Sequence, residues 1–258
     1  MSETDQPEKN ENEIQQGESS LASRLFDVIA APGEVFEEVK SAPNRTSNWL
    51  GPAILVSLVG ILGAVLCFSQ PAIQQQMSDL VAEQLEKQAK KVPMDERARA
   101  IGESVGQKAM KISMVVDPVA TGFVMPLWWG LVIWLVGGKL LKGGYTYMKA
   151  VEVAGLANVV TALEYVVKTL LQIGFGSIMA GPHLALLIRD FDPTKPLHGV
   201  LAALNVFWLW ALAIRSLGMA KLGGMSFGKA AGVLFGLWFL FMGGSIGLGA
   251  LMQRLAGQ

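Results

Sequence analysis

Residues 48–69 read NWLGPAILVSLVGILGAVLCFS, 22 positions without a single charge. Roughly 20 apolar residues are what an α-helix needs to cross about 30 Å of hydrocarbon. Trp49 stands at the start of the run, where an amphipathic ring meets the headgroups. The same signature recurs over about residues 118–141, 151–180, 199–217 and 230–251. The second run, PVATGFVMPLWWGLVIWLVGGKLL, carries Trp128, Trp129 and Trp134. Five such runs predict an all-α, polytopic membrane protein with five transmembrane helices in contact with a lipid bilayer.

Composition points the same way. Of 258 residues, 52% are hydrophobic and only 16% charged, against about 25% charged in a soluble domain. That balance sets aside nucleic-acid readers, soluble cofactor-binding enzymes and secreted disulfide scaffolds, so neither a cofactor nor a nucleic-acid partner is expected. The lone Cys67 has no second cysteine with which to form an internal disulfide.

The formal charge is zero, from 21 basic and 21 acidic residues, but it is unevenly spread. Glu3, Asp5, Glu8, Glu11, Glu13 and Glu18 crowd the first 20 positions against Lys9 alone. This stretch has no aromatics and is too polar to bury a core, so it reads as a disordered tail. It also lacks the basic start and apolar centre of a signal peptide. Leu21, Leu25, Val28 and Ile29, then Val35, Phe36 and Val39, fall at helical spacing on either side of Pro32. They predict two short amphipathic helices that either lie along the membrane surface or pack on the base of the bundle.

Residues 70–117 are polar and carry two apolar stripes. One comprises Ile73, Met77, Leu80, Val81 and Leu85. The other, beyond Pro93, comprises Met94, Ala98, Ile101, Val105 and Ile112. They predict an extramembrane helical hairpin whose apolar faces pair or rest on the bilayer. The chain thus divides into an acidic tail (1–20), an amphipathic juxtamembrane region (21–47), a membrane domain (48–252) that includes the hairpin (70–117), and a C-terminal tail (253–258).

Two connecting loops are basic and free of acids. One holds Lys139, Lys142 and Lys149, the other Arg215, Lys221 and Lys229. The opposite loop balances Arg189 and Lys195 with Asp190 and Asp192. Positive residues stay inside, so the expected setting is the cell inner membrane, with the N-terminus cytoplasmic and the C-terminus periplasmic.

The basic loops also share a motif. Gly143-Gly144-Tyr145-Thr146-Tyr147-Met148-Lys149-Ala150 aligns with Gly223-Gly224-Met225-Ser226-Phe227-Gly228-Lys229-Ala230. The glycine pair suits a tight turn with positive φ, and Thr146 or Ser226 suits the cap of the following helix. The aromatic, Tyr147 or Phe227, belongs at the interface, and Lys149 or Lys229 faces the cytoplasm. A duplicated hairpin and convergence on good turn chemistry both explain the pattern.

These turns, together with Asn48-Trp49-Leu50-Gly51-Pro52 and the Pro-Gly-Glu-Val-Phe segment at residues 32–36, resemble the Yip family of Ypt/Rab-interacting membrane proteins. The resemblance covers about residues 21–252. It implies a cytosolic N-terminal region, a Gly51-Pro52 element at the entry to the first span, five spans, and a short C-terminal end on the far side. Asn48 stands where eukaryotic members tend to have an acid, and the hairpin is larger than typical. Both departures suggest a prokaryotic homologue. The function implied is non-enzymatic: organising membrane, or recruiting a membrane or cytoplasmic protein partner through the N-terminal region.

Among individual residues, Glu164 and Lys168 lie four apart in the third run. Charges within a span are costly and are read as functional by default. They define an intramembrane polar centre, either a self-neutralised packing pair or the working part of a small transporter or channel component, the alternative function. Asn158 and Asn205 are candidates for hydrogen bonds between helices. Gly228, Gly232 and Gly236 form a small-residue stripe suited to helix packing within the bundle or against a second copy in a homo-oligomer. His183 and His198 share a loop with Asp190 and Asp192 but have no ligand spacing, so no metal site is expected. No nucleophile elbow, phosphate loop or metallopeptidase helix is present.

Overall fold

The computed structural model describes residues 19–90, 92, 94–188 and 195–255. The acidic residues of the tail, Pro93, Arg189, Asp190, Asp192 and the last three positions lie outside them. The described residues are helical apart from turns and one isolated bridge between His183 and Asn205. Five helices are long and apolar enough to cross a membrane.

Two short helices come first, α1 (Leu21–Ala30) and α2 (Pro32–Ser41). The Ser20 hydroxyl caps α1 by accepting from the Ser23 N–H at 3.1 Å, and Pro32 opens α2 at a position where no N–H is needed. Val28, Val35, Phe36 and Val39 are fully buried in the main core. Of the two arrangements open to an amphipathic pair, the chain adopts packing on the bundle.

The first span is α3 (Ser47–Phe68), followed by α4 (Pro71–Ala89) and α5 (Glu96–Ile133). A π-helical turn, Trp134–Leu140, extends α5 without a break, so one rod covers 45 residues, about 67 Å at 1.5 Å per residue. The second arm of the hairpin and the second span are therefore a single element, not two joined near residue 118. Pro118 and Pro126 both lie inside it and are buried. A membrane helix tolerates such prolines where neighbouring helices pack around the freed backbone, and here the Pro118 ring fills the space beside Gly60 of α3.

The hairpin pairs differently from its apolar pattern. Ile73, Met77 and Val81 of α4 are buried. Val81 closes on Gly106 of α5, Leu85 on Gly102, and Met110 and Met114 complete the contact. The stripe Met94, Ala98, Ile101, Val105 and Ile112 takes no part. Ile101, Val105 and Ile112 stay 56%, 59% and 62% exposed. Glycines that receive branched side chains present no hydrophobic signal of their own, so the seam is hidden from periodicity.

The third span is two helices, α6 (Tyr147–Ala157) and α7 (Val159–Phe175), broken at Asn158 and ended by Gly176 at φ +58°. It stops about five residues short of its apolar run. After a 3₁₀ turn (Leu184–Leu187) and the short α8 (Pro196–Ala203), the fourth span α9 covers Val206–Gly223. Its start is set by Asn205, whose side chain accepts from the Phe207 N–H at 2.9 Å. The fifth span is α10 (Phe227–Leu255), of which Ala230 and Leu234 reach the core. Arg215 is thus no loop residue. It lies two turns inside α9, buried, with its guanidinium 4.8 Å from the Trp129 ring centroid.

Candidate functional site

The two basic turns come together at one end of the bundle, beneath α1 and α2. A methyl on Gly143 would stand 3.0 Å from the Cα of Gly223, so the paired glycines let the two turns touch. Gly144 and Gly224 have φ of +75° and +60°, the left-handed conformation that glycine adopts without steric cost. Thr146 accepts from the Lys149 N–H and Ser226 from the Lys229 N–H, each at 3.4 Å. The copies differ in approach. The first leaves its π-helical turn through Gly143 N–H to Gly137 carbonyl at 2.9 Å, the second closes with Met225 N–H to Ala220 carbonyl at 3.0 Å. Tyr147 donates to the Leu127 carbonyl at 3.1 Å, whereas its counterpart Phe227 is exposed.

The lysines diverge too. Lys229 is exposed. Lys149 instead turns back and donates to the carbonyls of Val39, Ala42 and Pro43 at 2.6, 2.7 and 3.2 Å. It thereby caps the C-terminal end of α2, where helix carbonyls lack partners and the dipole is negative. Its ammonium also lies 3.4 Å from Glu152 Oε1, with only 12% and 1% of the two side chains exposed. Asn48 Nδ2 donates to Glu152 Oε2 at 2.6 Å. Residues from α2, α3 and α6 are so joined in one buried polar lock. The expectation that Lys149 faces the cytoplasm is corrected: three carbonyls and a carboxylate draw it inward.

The second basic segment holds α2 from the other side. Lys221 Nζ lies 3.0 Å from Glu37 Oε1, and the ammonium holds that carboxyl below the ordinary carboxylate range. Arg24, itself buried, pairs with Glu38 at 3.6 Å, and the Ser19 hydroxyl donates to Glu38 at 2.5 Å. Ala31, Gly33, Glu34, Glu37 and Lys221 line an open groove of about 530 Å³ beside this clamp. A carboxyl depressed on folding adds stability above its unfolded value, and that stability is lost as pH falls through the folded value. Wild type and Glu37→Gln should therefore differ slightly in Tm at pH 7 and converge at pH 3. A gap that persists at pH 3 would show that the difference does not come from this ion pair.

Gly51 and Pro52, at the entry to the first span, serve the same docking. A methyl on Gly51 would sit 2.7 Å from Leu21 of α1, so the glycine makes room for that helix. Pro52 is buried and has no N–H to offer the Asn48 carbonyl, which lies against Gly155 of α6.

Glu164 and Lys168 are not brought together into an ion pair. The Glu164 carboxylate accepts from Asn205 Nδ2 at 2.6 Å and from Trp208 Nε1 at 3.0 Å, while Lys168 is exposed. Glu164 lies level with the start of α9, about 25 Å along the third span from Tyr147, away from the basic turns rather than midway. It ties the third span to the cap of the fourth. Replacing Glu164 with leucine leaves two buried donors unpaired and should cost about 1–3 kcal/mol. Lys168→Met should leave thermal unfolding in detergent unchanged, and an equal loss for both variants would restore the pair. Asn158 donates weakly to the Thr121 carbonyl at 3.5 Å.

The stripe Gly228, Gly232 and Gly236 is not used for packing inside the bundle. A methyl at any of the three meets nothing within 4 Å. Among the described residues, no group of three or more His, Cys, Asp or Glu side chains is placed to hold a metal.

Glu152, Glu37 and Arg215 escape pattern reading. Glu152 looks like one more interfacial acid until α2 and α3 fold over it, although its i,i+3 spacing from Lys149 was a signal.

Comparison with known proteins supports the same grouping. The chain is 25% identical over 236 residues to the membrane protein YknW of Bacillus subtilis (strain 168), covering 87% of this chain and 90% of that protein. No solved structure matches it. The model of the Yip1 domain matches residues 26–248, which take in α2, both basic turns and all five spans, and the chain belongs to the Yip1 domain family.

Proposed function

We propose that the chain is a non-enzymatic scaffold of the inner membrane, with its N-terminus cytoplasmic and its C-terminus periplasmic. It organises membrane or recruits a membrane or cytoplasmic protein through its N-terminal region. The observation that carries this reading is the clamp on α2. A helix held by Lys149 at its C-terminal end and by Lys221 at Glu37 presents its outer face in a fixed orientation. Phe26 of α1, 75% exposed, and Glu34 stand on the free side of the pair. A recognition surface built on rigid elements loses little conformational entropy on binding. Gathering the lysines of both short loops at this end favours its being cytoplasmic.

The transporter alternative draws less support, because the Glu164 carboxylate is already occupied by two donors and Lys168 points away from it.

Affinity purification from native membranes tests the scaffold reading. Deleting residues 1–47 is the wrong perturbation, since it would strip Val28, Val35, Phe36 and Val39 from the core. The informative comparison uses the full chain, a chain lacking residues 1–18, and the surface variant Phe26→Asp with Glu34→Lys. Loss of co-purifying proteins in either altered chain supports recruitment. An identical protein set in all three would sink it.

A further inference from the structure

The exposed face of α5 has a regularity beyond amphipathicity. Met94, Ala98, Ile101, Val105, Lys108, Ile112, Val115 and Val119 follow one another in steps of four, three, four, three, four, three and four. All but Met94, which just precedes the rod, stand on one continuous helix. Alternating four-and-three spacing is the seam of a left-handed coiled coil. One set, Val105, Ile112 and Val119, repeats every seven residues with β-branched side chains, the choice that favours two strands. The face turned to α4, with Gly102, Gly106, Met110 and Met114, is a different one. The seam is thus left over after the hairpin has closed.

The bilayer is poorly placed to cover it. Ile101 stands 17 residues before Pro118, about 26 Å along the rod from the start of the second span. A straight helix carries that end of the seam well beyond the headgroups.

We propose that this seam is the contact between two copies of the chain, forming a parallel two-stranded coiled coil above the membrane. The occupant is a second copy for reasons of geometry. Both chains insert in the same orientation, so their rods are parallel and leave the bilayer at the same height. Each seam residue therefore meets its own counterpart without a register shift. Lys108 is the only charged residue in the seam. A single polar position of this kind fixes register and strand number at a cost in stability.

Cysteine crosslinking of the full chain in native membranes tests the contact. Cys67 is buried in α3 and serves as the background. A disulfide needs Cβ atoms about 3.8 Å apart, which equivalent seam positions reach only when the strands are parallel and in register. Under mild oxidation, Val105→Cys and Ile112→Cys should each give a product of twice the chain mass. The yield should be at least severalfold above that of Ala100→Cys and Glu103→Cys, which are exposed on other faces. In purified full-length protein, Val105→Asp with Ile112→Asp should abolish the dimer by light scattering while leaving helix content unchanged. Lys108→Ile should shift the same measurement toward dimer. Equal yields on and off the seam, no product, a product of another mass, or a dimer indifferent to the Asp variant would each overturn the proposal.

Discussion

Replacing Glu152 with alanine is expected to lower the stability of the detergent-solubilised protein by about 3–5 kcal/mol, the usual cost of removing one partner from a buried ion pair. The carboxylate is 1% exposed, accepts from Asn48 at 2.6 Å and faces Lys149 at 3.4 Å. Its loss leaves the ammonium buried with only the carbonyls of Val39, Ala42 and Pro43 for company. Glu152→Gln keeps an acceptor for Asn48 and should cost less. The damage should also be directional, because α2 is held through the same lysine. Limited proteolysis between residues 19 and 47 should accelerate in Glu152→Ala before the spans themselves unfold. A Glu152→Ala protein that melts with wild type would mean that the lock contributes nothing.

Gly122→Val carries the second large effect, about 1–3 kcal/mol from overpacking. A methyl at Gly122 would stand 2.5 Å from the Ala53 carbonyl oxygen and 2.6 Å from the Ser57 hydroxyl. The first of these is backbone and cannot move aside by changing a rotamer, so α3 and α5 must separate. Gly232→Val provides the control. Nothing lies within 4 Å of a methyl there, and the change should stay within about 0.5 kcal/mol. Thermal unfolding of both variants in the same detergent checks the contrast. Equal losses at the two sites would contradict the packing described for α3, α5 and α10.

The spans were legible because lipid imposes a one-dimensional rule. About 20 uninterrupted apolar residues mark a spanning helix whatever it packs against. The turns at residues 143–150 and 223–230 were legible for a related reason, since positive φ and N-caps are local demands met by local residue types. Boundaries were less so. Asn205 decides where α9 begins only because its cap and its bond to Glu164 form together. Arg215 looked like a loop cation because charge alone suggests exposure. The ring of Trp129, 86 residues away in the chain, makes a place for it inside the bundle.

Sequence by itself determined the class, the five spans, the family resemblance and the turn chemistry, all consequences of hydropathy and backbone geometry within a few residues. Only the tertiary structure decided which partners the polar groups take. Lys149 goes to α2 and Glu152 rather than to water, Glu164 to Asn205 and Trp208 rather than to Lys168, and α4 to the glycines of α5 rather than to its apolar stripe. The physical reason is common to all three. A hydrogen bond or a close backbone approach depends on atoms that are distant in the chain, and neither the small size of a glycine nor the charge of a side chain specifies which of them will arrive.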